Sequence, residues 1–539
     1  MENQCSDERP AEKRIRSPII AVYMLRYLRL IVLMTAFCTC SIAHSQPRPE
    51  VIYHVFQRSF FDSNNDGQGD LEGIRRKLDY LQELGVTSIL LTPLYVSEFY
   101  HNYFADNFET IDPAYGSLTT YLQLVREVHK RKMKIYQDVE MQYVAGKHPW
   151  FTGSYQNPGS PFSRYIYYND SLNRQPFWFW GLQELTLYNN VKQRIVVVNM
   201  QEPAVKKYTY DVLAYWVDPN KDGLFDDGVD GFRLDHMMDD LDDAGKLPHL
   251  FSSFWTPLLS DLKKINPGIR IVAEQSNWNS YGYEYFNEGN VDRVFAFRLK
   301  FAIESFDKKK IIAAADSTFR YLAAGKEQVV FLENHDTKRF ASLDEQNPGK
   351  LKAGAALNLL LGGIPAIYYG QEIGMKGSKL NGPTDGNDIP VREAFDWYTA
   401  GTGTGMAFWY KNTGPWWNNT NTRPNDGISL EEERQDPRSL WNYYQQLIRL
   451  RQSHPALTAG VYQALYNDND QVLSFLRSSP DEIILVAVNL SGKPQHVILQ
   501  PDKSARPLTG LPGNISSKSD KNKLIIDLPA YSTGLWRVD

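Results

Sequence analysis

From residue 51 onward, short apolar runs alternate with segments of helical period, and this alternation restricts the fold more than any other feature of the chain. The apolar runs cover residues 51–60, 87–94, 134–141, 231–235, 270–274, 293–297, 328–336 and 366–371, with helical patterns such as 71–84 and 121–131 between most of them. Strands separated by helical crossovers run parallel, and eight is the number that closes a (β/α)8 barrel. The predicted fold class is therefore α/β, a TIM barrel. In that fold the chemistry gathers at the C-terminal ends of the strands. The polar residues of these runs lie at those ends: Asp138, Arg233 with Asp235, Glu274, then Asn334, His335 and Asp336.

The third and fourth runs are separated by roughly ninety residues rich in Pro, Asn, Tyr and Trp, too many for a βα loop. Residues 142–205 are therefore read as an inserted subdomain over the barrel mouth, and the barrel as 46–141 and 206–457. Beyond the helical stretch 440–457, alternating runs at 472–476, 483–489, 495–499 and 524–528 predict a C-terminal antiparallel β-sandwich over 458–539.

Residues 1–45 are expected to stand outside the fold. Met24-Leu25-Arg26-Tyr27-Leu28-Arg29 is basic, and residues 30–38 are apolar over the length of a signal-peptide core. Ala43-His44-Ser45 then supplies small residues for cleavage before Gln46. The apolar run is too short to span a bilayer in the mature protein. Export to the periplasm or beyond is the expectation, with Met24 a candidate true start. Cys5, Cys38 and Cys40 all fall in this leader. Cleavage would leave no cysteine for disulfides, thiol catalysis or metal binding. A net charge of −5 offers no basic footprint for nucleic acid.

Arg233 and Asp235 are two residues apart on one predicted strand, so their side chains enter the same cavity. A helical pattern is expected to begin just after them, at Met237. A carboxylate beside a guanidinium stays ionised at neutral pH, as a carboxylate nucleophile must. A plain strand-end ion pair is the alternative reading of these residues alone.

Three segments tip the balance: Gly231-Phe232-Arg233-Leu234-Asp235, Val272-Ala273-Glu274 and Phe331-Leu332-Glu333-Asn334-His335-Asp336. In order and spacing they resemble signature segments of the α-amylase family, glycoside hydrolase family 13. Residues 363–372 resemble the family's eighth-strand segment, and 447–451 its last barrel helix. The resemblance covers essentially the whole mature chain and is closest in kind to oligosaccharide-acting, neopullulanase-like bacterial members. It implies an exported retaining hydrolase of α-glucans or oligosaccharides. Asp235 would be the nucleophile and Glu274 the acid/base, its pKa raised by burial or nearby negative charge. Asp336, helped by His335, would hold sugar hydroxyls, and Arg233 would orient the nucleophile. The aromatics of the insertion, among them Trp150, Phe151 and residues 177–180, would stack on sugars or pack the subdomain, packing being the expected role of most. Two alternatives stay open: a transglycosylase or isomerase of trehalose-synthase type, and a catalytically inactive sugar-binding relative.

The departures from the family pattern lie on the sugar-recognising side. Where members usually carry Asp-x-Val-x-Asn-His at the third strand, this chain has Asp138-Val139-Glu140-Met141-Gln142-Tyr143. Where many exo-acting members carry Gly-Tyr-Asp, it has Asn102-Tyr103-Phe104. Tyr103 keeps the stacking platform, while Phe104 cannot bind a hydroxyl. Arg339, similar to an Arg that often partners the missing Asp, must find another anion. Tyr103, Phe104, Tyr143, Arg233, His335 and Arg339 form the expected substrate-binding set.

Two loops have the oxygen spacing of a calcium site. The first sets Asp62, Asn64, Asp66, the carbonyl of Gln68 and Asp70 around Gly67, and it resembles the first-loop calcium site of oligosaccharide-acting members. The second repeats the spacing with Asp218, Asn220, Asp222, the carbonyl of Leu224 and Asp226, an acidic surface turn being the alternative there. Any Ca2+ in these loops is expected to be structural.

Overall fold

Short runs rich in Val, Ile and Leu, buried on both faces as parallel strands require, form the barrel of the computed structural model, which describes residues 49–343, 347–508, 511 and 515–539. The strands are β1 (Ile52–Val55), β2 (Ser88–Leu91), β3 (Lys134–Val139), β4 (Gly231–Met237), β5 (Arg270–Gln275), β6 (Arg293–Phe295), β7 (Glu327–Val330) and β8 (Ile364–Tyr368). Each pairs in parallel with the next, and β8 returns to β1 with Ala366 opposite Ile52, so the sheet closes. The expected leader lies outside the described residues.

Ile52, Leu90, Tyr136, Val272, Val329, Ile364 and Ala366, with Phe295, Phe331 and neighbouring rings, form a core of their own. Side-chain direction repeats every second residue. The residues two positions beyond Ile52, Tyr136 and Val272 are His54, Asp138 and Glu274, so the site is the polar continuation of this apolar filling. Gly231 opens β4 where no side chain fits, since a Cβ there would stand 2.1 Å from the Arg270 carbonyl oxygen.

The strands end earlier than their apolar runs. After β1 the chain turns into a short helix, Gln57–Phe60. β7 stops at Val330, which leaves Asn334, His335 and Asp336 on a loop. Phe297 begins the helix Phe297–Glu304 and does not end β6. The helical pattern 71–84 is two helices, Leu71–Arg76 and Leu78–Leu84, parted at Lys77. No helix starts at Met237: β4 runs through it, with a register shift between Leu234 and Met237. His236 takes the bulge in a left-handed conformation at φ 45°, and a bulge re-aims side chains beside it.

Between β3 and β4 the insertion pairs Tyr143–Ala145 with Ile195–Val197 in an antiparallel ribbon and carries the short helix Pro149–Ser154. After β8 a long segment with 3₁₀ turns at Gln371–Ile373 and Asp385–Val391 passes beside the barrel mouth. The C-terminal strands form a five-stranded and a three-stranded antiparallel sheet. Leu485, Ala487, Val497, Leu524, Ile526 and Trp536 fill the space between them. The opposite face of the larger sheet, with Leu473, Phe475, Ile484, Val486 and Val488, joins the barrel's outer core. Among the described residues no helix is long and apolar enough to cross a membrane.

Candidate active site

At the C-terminal mouth of the barrel a cavity of about 440 Å³ is lined by Tyr103, Phe104, Tyr143, Phe179, Asp235, His335, Asp336, Asp388 and Arg392, among others. Its floor is built on Arg233, whose side chain is 1% exposed. Arg233 Nη1 lies 2.8 and 2.7 Å from the two carboxylate oxygens of Asp138, the residue opposite it on β3. The same nitrogen bonds Asp235 Oδ1, and Nη2 bonds Glu274 Oε2. Asp235 and Glu274 thus sit on the two ends of one guanidinium, within hydrogen-bonding reach of each other.

Asp336 stands across the cavity. Its Oδ2 is 2.9 Å from His335 Nε2, and its Oδ1 is 3.0 Å from Arg392 Nη2. Tyr103 stacks on His335 with centroids 5.2 Å apart and planes 15° apart. Its hydroxyl donates to Asp138 Oδ2 at 2.6 Å and lies 2.7 Å from His335 Nε2.

Environment divides these carboxyls. Burial pushes Glu274 well above the usual carboxylate range against the pull of Arg233, and the charges of Asp235 and Asp336 push the same way. Burial also lifts Asp138, to about 7, with Arg233 opposing. For Asp336 burial again disfavours the charge, but His335, Lys379 and Arg392 outweigh it and hold the carboxyl well below its ordinary value. One acid is kept protonated beside another kept ionised, the pattern that separates acid from base roles in one site.

The cavity wall at Phe104 is apolar. Its ring packs on Phe99, His101, Phe179 and Tyr143, with centroids 5.0 to 6.1 Å away. The Tyr143 hydroxyl bonds Asp242 Oδ1. Of the insertion's aromatics, Trp150 and Phe151 are buried. Phe179 reaches the cavity, and Trp180, 52% exposed, lies parallel to His236 at its rim.

Arg339 is corrected by the structure. It is fully buried, its Nη1 bonds Glu333 Oε1 at 2.8 Å, and its guanidinium covers the Tyr368 ring at 4.2 Å. It does not line the cavity, because the loop after β7 turns it toward the barrel wall, where Glu333 is the anion it finds. The arginine that faces the cavity is Arg392, carried in by the segment after β8 and also 3.1 Å from Asp388. That segment has no strand or helix period, so spacing gave no sign of it. Glu140, in the third-strand run that departs from the family pattern, is buried beside Asp235.

The two acidic loops fold alike. Asp66 N donates to Asn64 Oδ1 at 3.0 Å and Gly67 N to Asp62 Oδ2 at 2.7 Å. In the second loop Asp222 N donates to Asn220 Oδ1 at 2.9 Å and Gly223 N to Asp218 Oδ2 at 2.9 Å. Gly67 and Gly223 both have positive φ, 91° and 77°. Asp218 Oδ1 is buried without a hydrogen-bond partner among the described residues, an atom that a cation would satisfy. Asp70 is already engaged, capping the helix Leu71–Arg76 through Gly73 N. Among the described residues no three His, Cys, Asp or Glu side chains stand together as a metal site. An ion here would lean on the Asn side chains and main-chain carbonyls, hard oxygen donors of the kind calcium takes.

The chain matches the α-amylase catalytic domain over residues 54–460 and the maltogenic amylase C-terminal domain over 462–534. It is 28% identical to α-amylase 3 of Dictyoglomus thermophilum, a match covering 96% of this chain and 99% of that protein. It is also 28% identical to the trehalose synthase/amylase of Mycobacterium tuberculosis, over 83% of this chain and 82% of the relative. The crystal structure of an α-amylase from H. orenii superposes with a TM-score of 0.73 at 26% identity, covering 91% of this chain and all of that one.

Proposed function

The chain belongs to the α-amylase family of glycosidases, and from that premise we propose that it is an exported enzyme cleaving α-glucosidic bonds of starch-derived glucans or oligosaccharides with retention of configuration. The observation that carries this is the placement of Asp235 and Glu274 on one guanidinium, within hydrogen-bonding reach of each other. Retaining sites hold their carboxyls about 5 Å apart, whereas inverting sites need about 6.5–9.5 Å to admit a water between them.

Asp235 attacks the anomeric carbon as the bond to the leaving oxygen breaks, and Glu274 gives that oxygen its proton. Water then forms the new bond to the anomeric carbon, surrendering a proton to Glu274, while the ester bond to Asp235 breaks and returns its electron pair to the carboxylate. Asp336 binds sugar hydroxyls as an anion, a role its partners His335 and Arg392 support. Tyr103 supplies the stacking face, and Phe104, Phe179 and Tyr143 a dry wall.

A second reading gives the same glycosyl-enzyme to a sugar hydroxyl instead of water. The dry wall at Phe104 and the likeness to a trehalose synthase/amylase favour it. Products from maltose, maltotriose, pullulan and trehalose separate the two: net reducing sugar for hydrolysis, rearranged disaccharide for isomerisation. If wild type yields neither above an Asp235→Asn control, both readings fall.

Calcium, held by Asp62, Asn64, Asp66, the Gln68 carbonyl and Asp70, and in the second loop by Asp218, Asn220, Asp222, the Leu224 carbonyl and Asp226, would brace those loops and take no part in proton transfer. Export rests on the basic, apolar and small-residue order of residues 24–45. N-terminal sequencing of the protein recovered from outside the cytoplasm should begin at or near Gln46, and an intact residue 24 there would contradict it.

A further inference from the structure

We propose that Glu140 is a positioning residue whose neutral carboxyl donates a hydrogen bond to the nucleophile Asp235 and thereby speeds breakdown of the glycosyl-enzyme. This rests on the retaining reading above. Glu140 is the first residue past the end of β3 at Val139. Its position is that of the Val in the family's usual third-strand run.

Glu140 is 1% exposed. Its Oε1 accepts from Gln142 N, and its Oε2 lies 3.2 Å from Gln142 Nε2. Its carboxyl also stands in side-chain hydrogen-bonding contact with Asp235. Gln142 Nε2 also donates to the carbonyls of Asp235 at 3.2 Å and His236 at 2.9 Å. One amide thus ties the Glu140 carboxyl to the main chain at the bulge of β4, on the residue that carries the Asp235 side chain. The ion pairs of the floor run from Arg233 to Asp138, Asp235 and Glu274, and none reaches Glu140 among the described residues.

Two carboxyls in hydrogen-bonding contact need a proton between them. Arg233 bonds Asp235 and no ion pair reaches Glu140 among the described residues, so the proton resides on Glu140, whose burial pushes its pKa well above the usual range, with the Asp235 charge pushing the same way. The replacements at 140, 142 and 143 then act as a set. Gln142 clamps, Tyr143 bonds Asp242, and Glu140 donates.

The kinetic consequence follows from where charge develops. Asp235 loses its charge when the ester forms and regains it when the ester breaks. A donor to the carboxylate therefore stabilises the second transition state relative to the intermediate, and only interactions that strengthen toward a transition state accelerate it. With an activated aryl α-glucoside, whose leaving group needs little protonation, deglycosylation limits turnover.

The test compares Glu140→Val, which restores the family residue, with Glu140→Gln, which keeps an N–H donor of similar size. Glu140→Val should lower kcat about 10- to 100-fold, lower KM in step, and show a burst of aryl alcohol as the glycosyl-enzyme accumulates. Glu140→Gln should recover most of kcat. Melting temperatures check that both fold. If Glu140→Val is unstable, the infrared difference between wild type and Glu140→Gln at neutral pH replaces it and should show a protonated-carboxyl stretch lost with Glu140. Glu140→Val kinetics like wild type, equal losses in both variants without a burst, or no such stretch would each overturn the inference. The anomeric form of the first product, read by NMR, separates the two claims: an inverted product removes the retaining reading, while a retained product with wild-type behaviour of Glu140→Val removes this inference alone.

Discussion

Arg233 carries one positive charge and touches three carboxylates, Asp138, Asp235 and Glu274, so they cannot all ionise at equal cost. Burial and the two anions Asp235 and Asp336 push Glu274 toward its protonated form. The sign for activity follows. A general acid with a raised pKa remains competent as pH climbs past the ordinary carboxylate range, and kcat/KM falls only when pH reaches the raised value. Glu274→Gln should abolish this alkaline limb and lower kcat/KM about 10²- to 10⁴-fold on maltose, with a far smaller loss of kcat/KM on an activated aryl glucoside, whose glycosylation step needs little protonation. An alkaline limb near pH 4 to 5 in wild type would contradict the assignment. Arg392 shows the limit of motif reading at this scale. Its charge reaches Asp336 only because the segment after β8 folds back over the mouth.

At the scale of elements, Glu372 ties three of them together. It lies in the turn Gln371–Ile373 after β8, and its Oε1 accepts from Tyr53 of β1 at 2.6 Å and from Tyr80 of the helix Leu78–Leu84. Burial raises its pKa from 4.5 to about 7. A carboxyl with a raised folded pKa stabilises the fold fully below its unfolded value, and that contribution is lost as pH rises through about 7. The amount is on the order of 3 kcal/mol. Glu372→Gln keeps the group neutral, so the variant should lose less melting temperature than wild type between pH 5 and pH 8. Parallel curves for the two proteins would show that Glu372 stays ionised in the fold. The β4 bulge is a second case at this scale. Apolar pattern indicated where the strand lay, but the left-handed His236 and the continuation to Met237 depend on pairing with β5.

For the whole molecule, the barrel, the insertion at its mouth and the C-terminal sheets share one outer core. Lys308 helps seal the sheets to the barrel through Asn467 and Asn469. If calcium occupies the loops 62–70 and 218–226, its removal should be felt as a loss of global stability by linkage. Calcium should survive exhaustive dialysis, and chelation should lower the melting temperature by roughly 5 °C. A metal-free protein with an unchanged melting temperature would sink the idea. What the sequence by itself determined is whatever local periodicity and ordered motifs encode. That covers the eight parallel strands, the terminal antiparallel sheets, and the arrival of Asp138, Arg233, Asp235 and Glu274 at one end of the barrel, because alternation along a strand decides which residues point inward. Only the tertiary structure decided which charges meet. Arg339 turned away to Glu333, Arg392 came in from a segment without periodicity, and Glu140 reached Asp235 across two strands. Contacts between residues distant in the chain are set by how loops pack over the barrel mouth, and no local pattern records them.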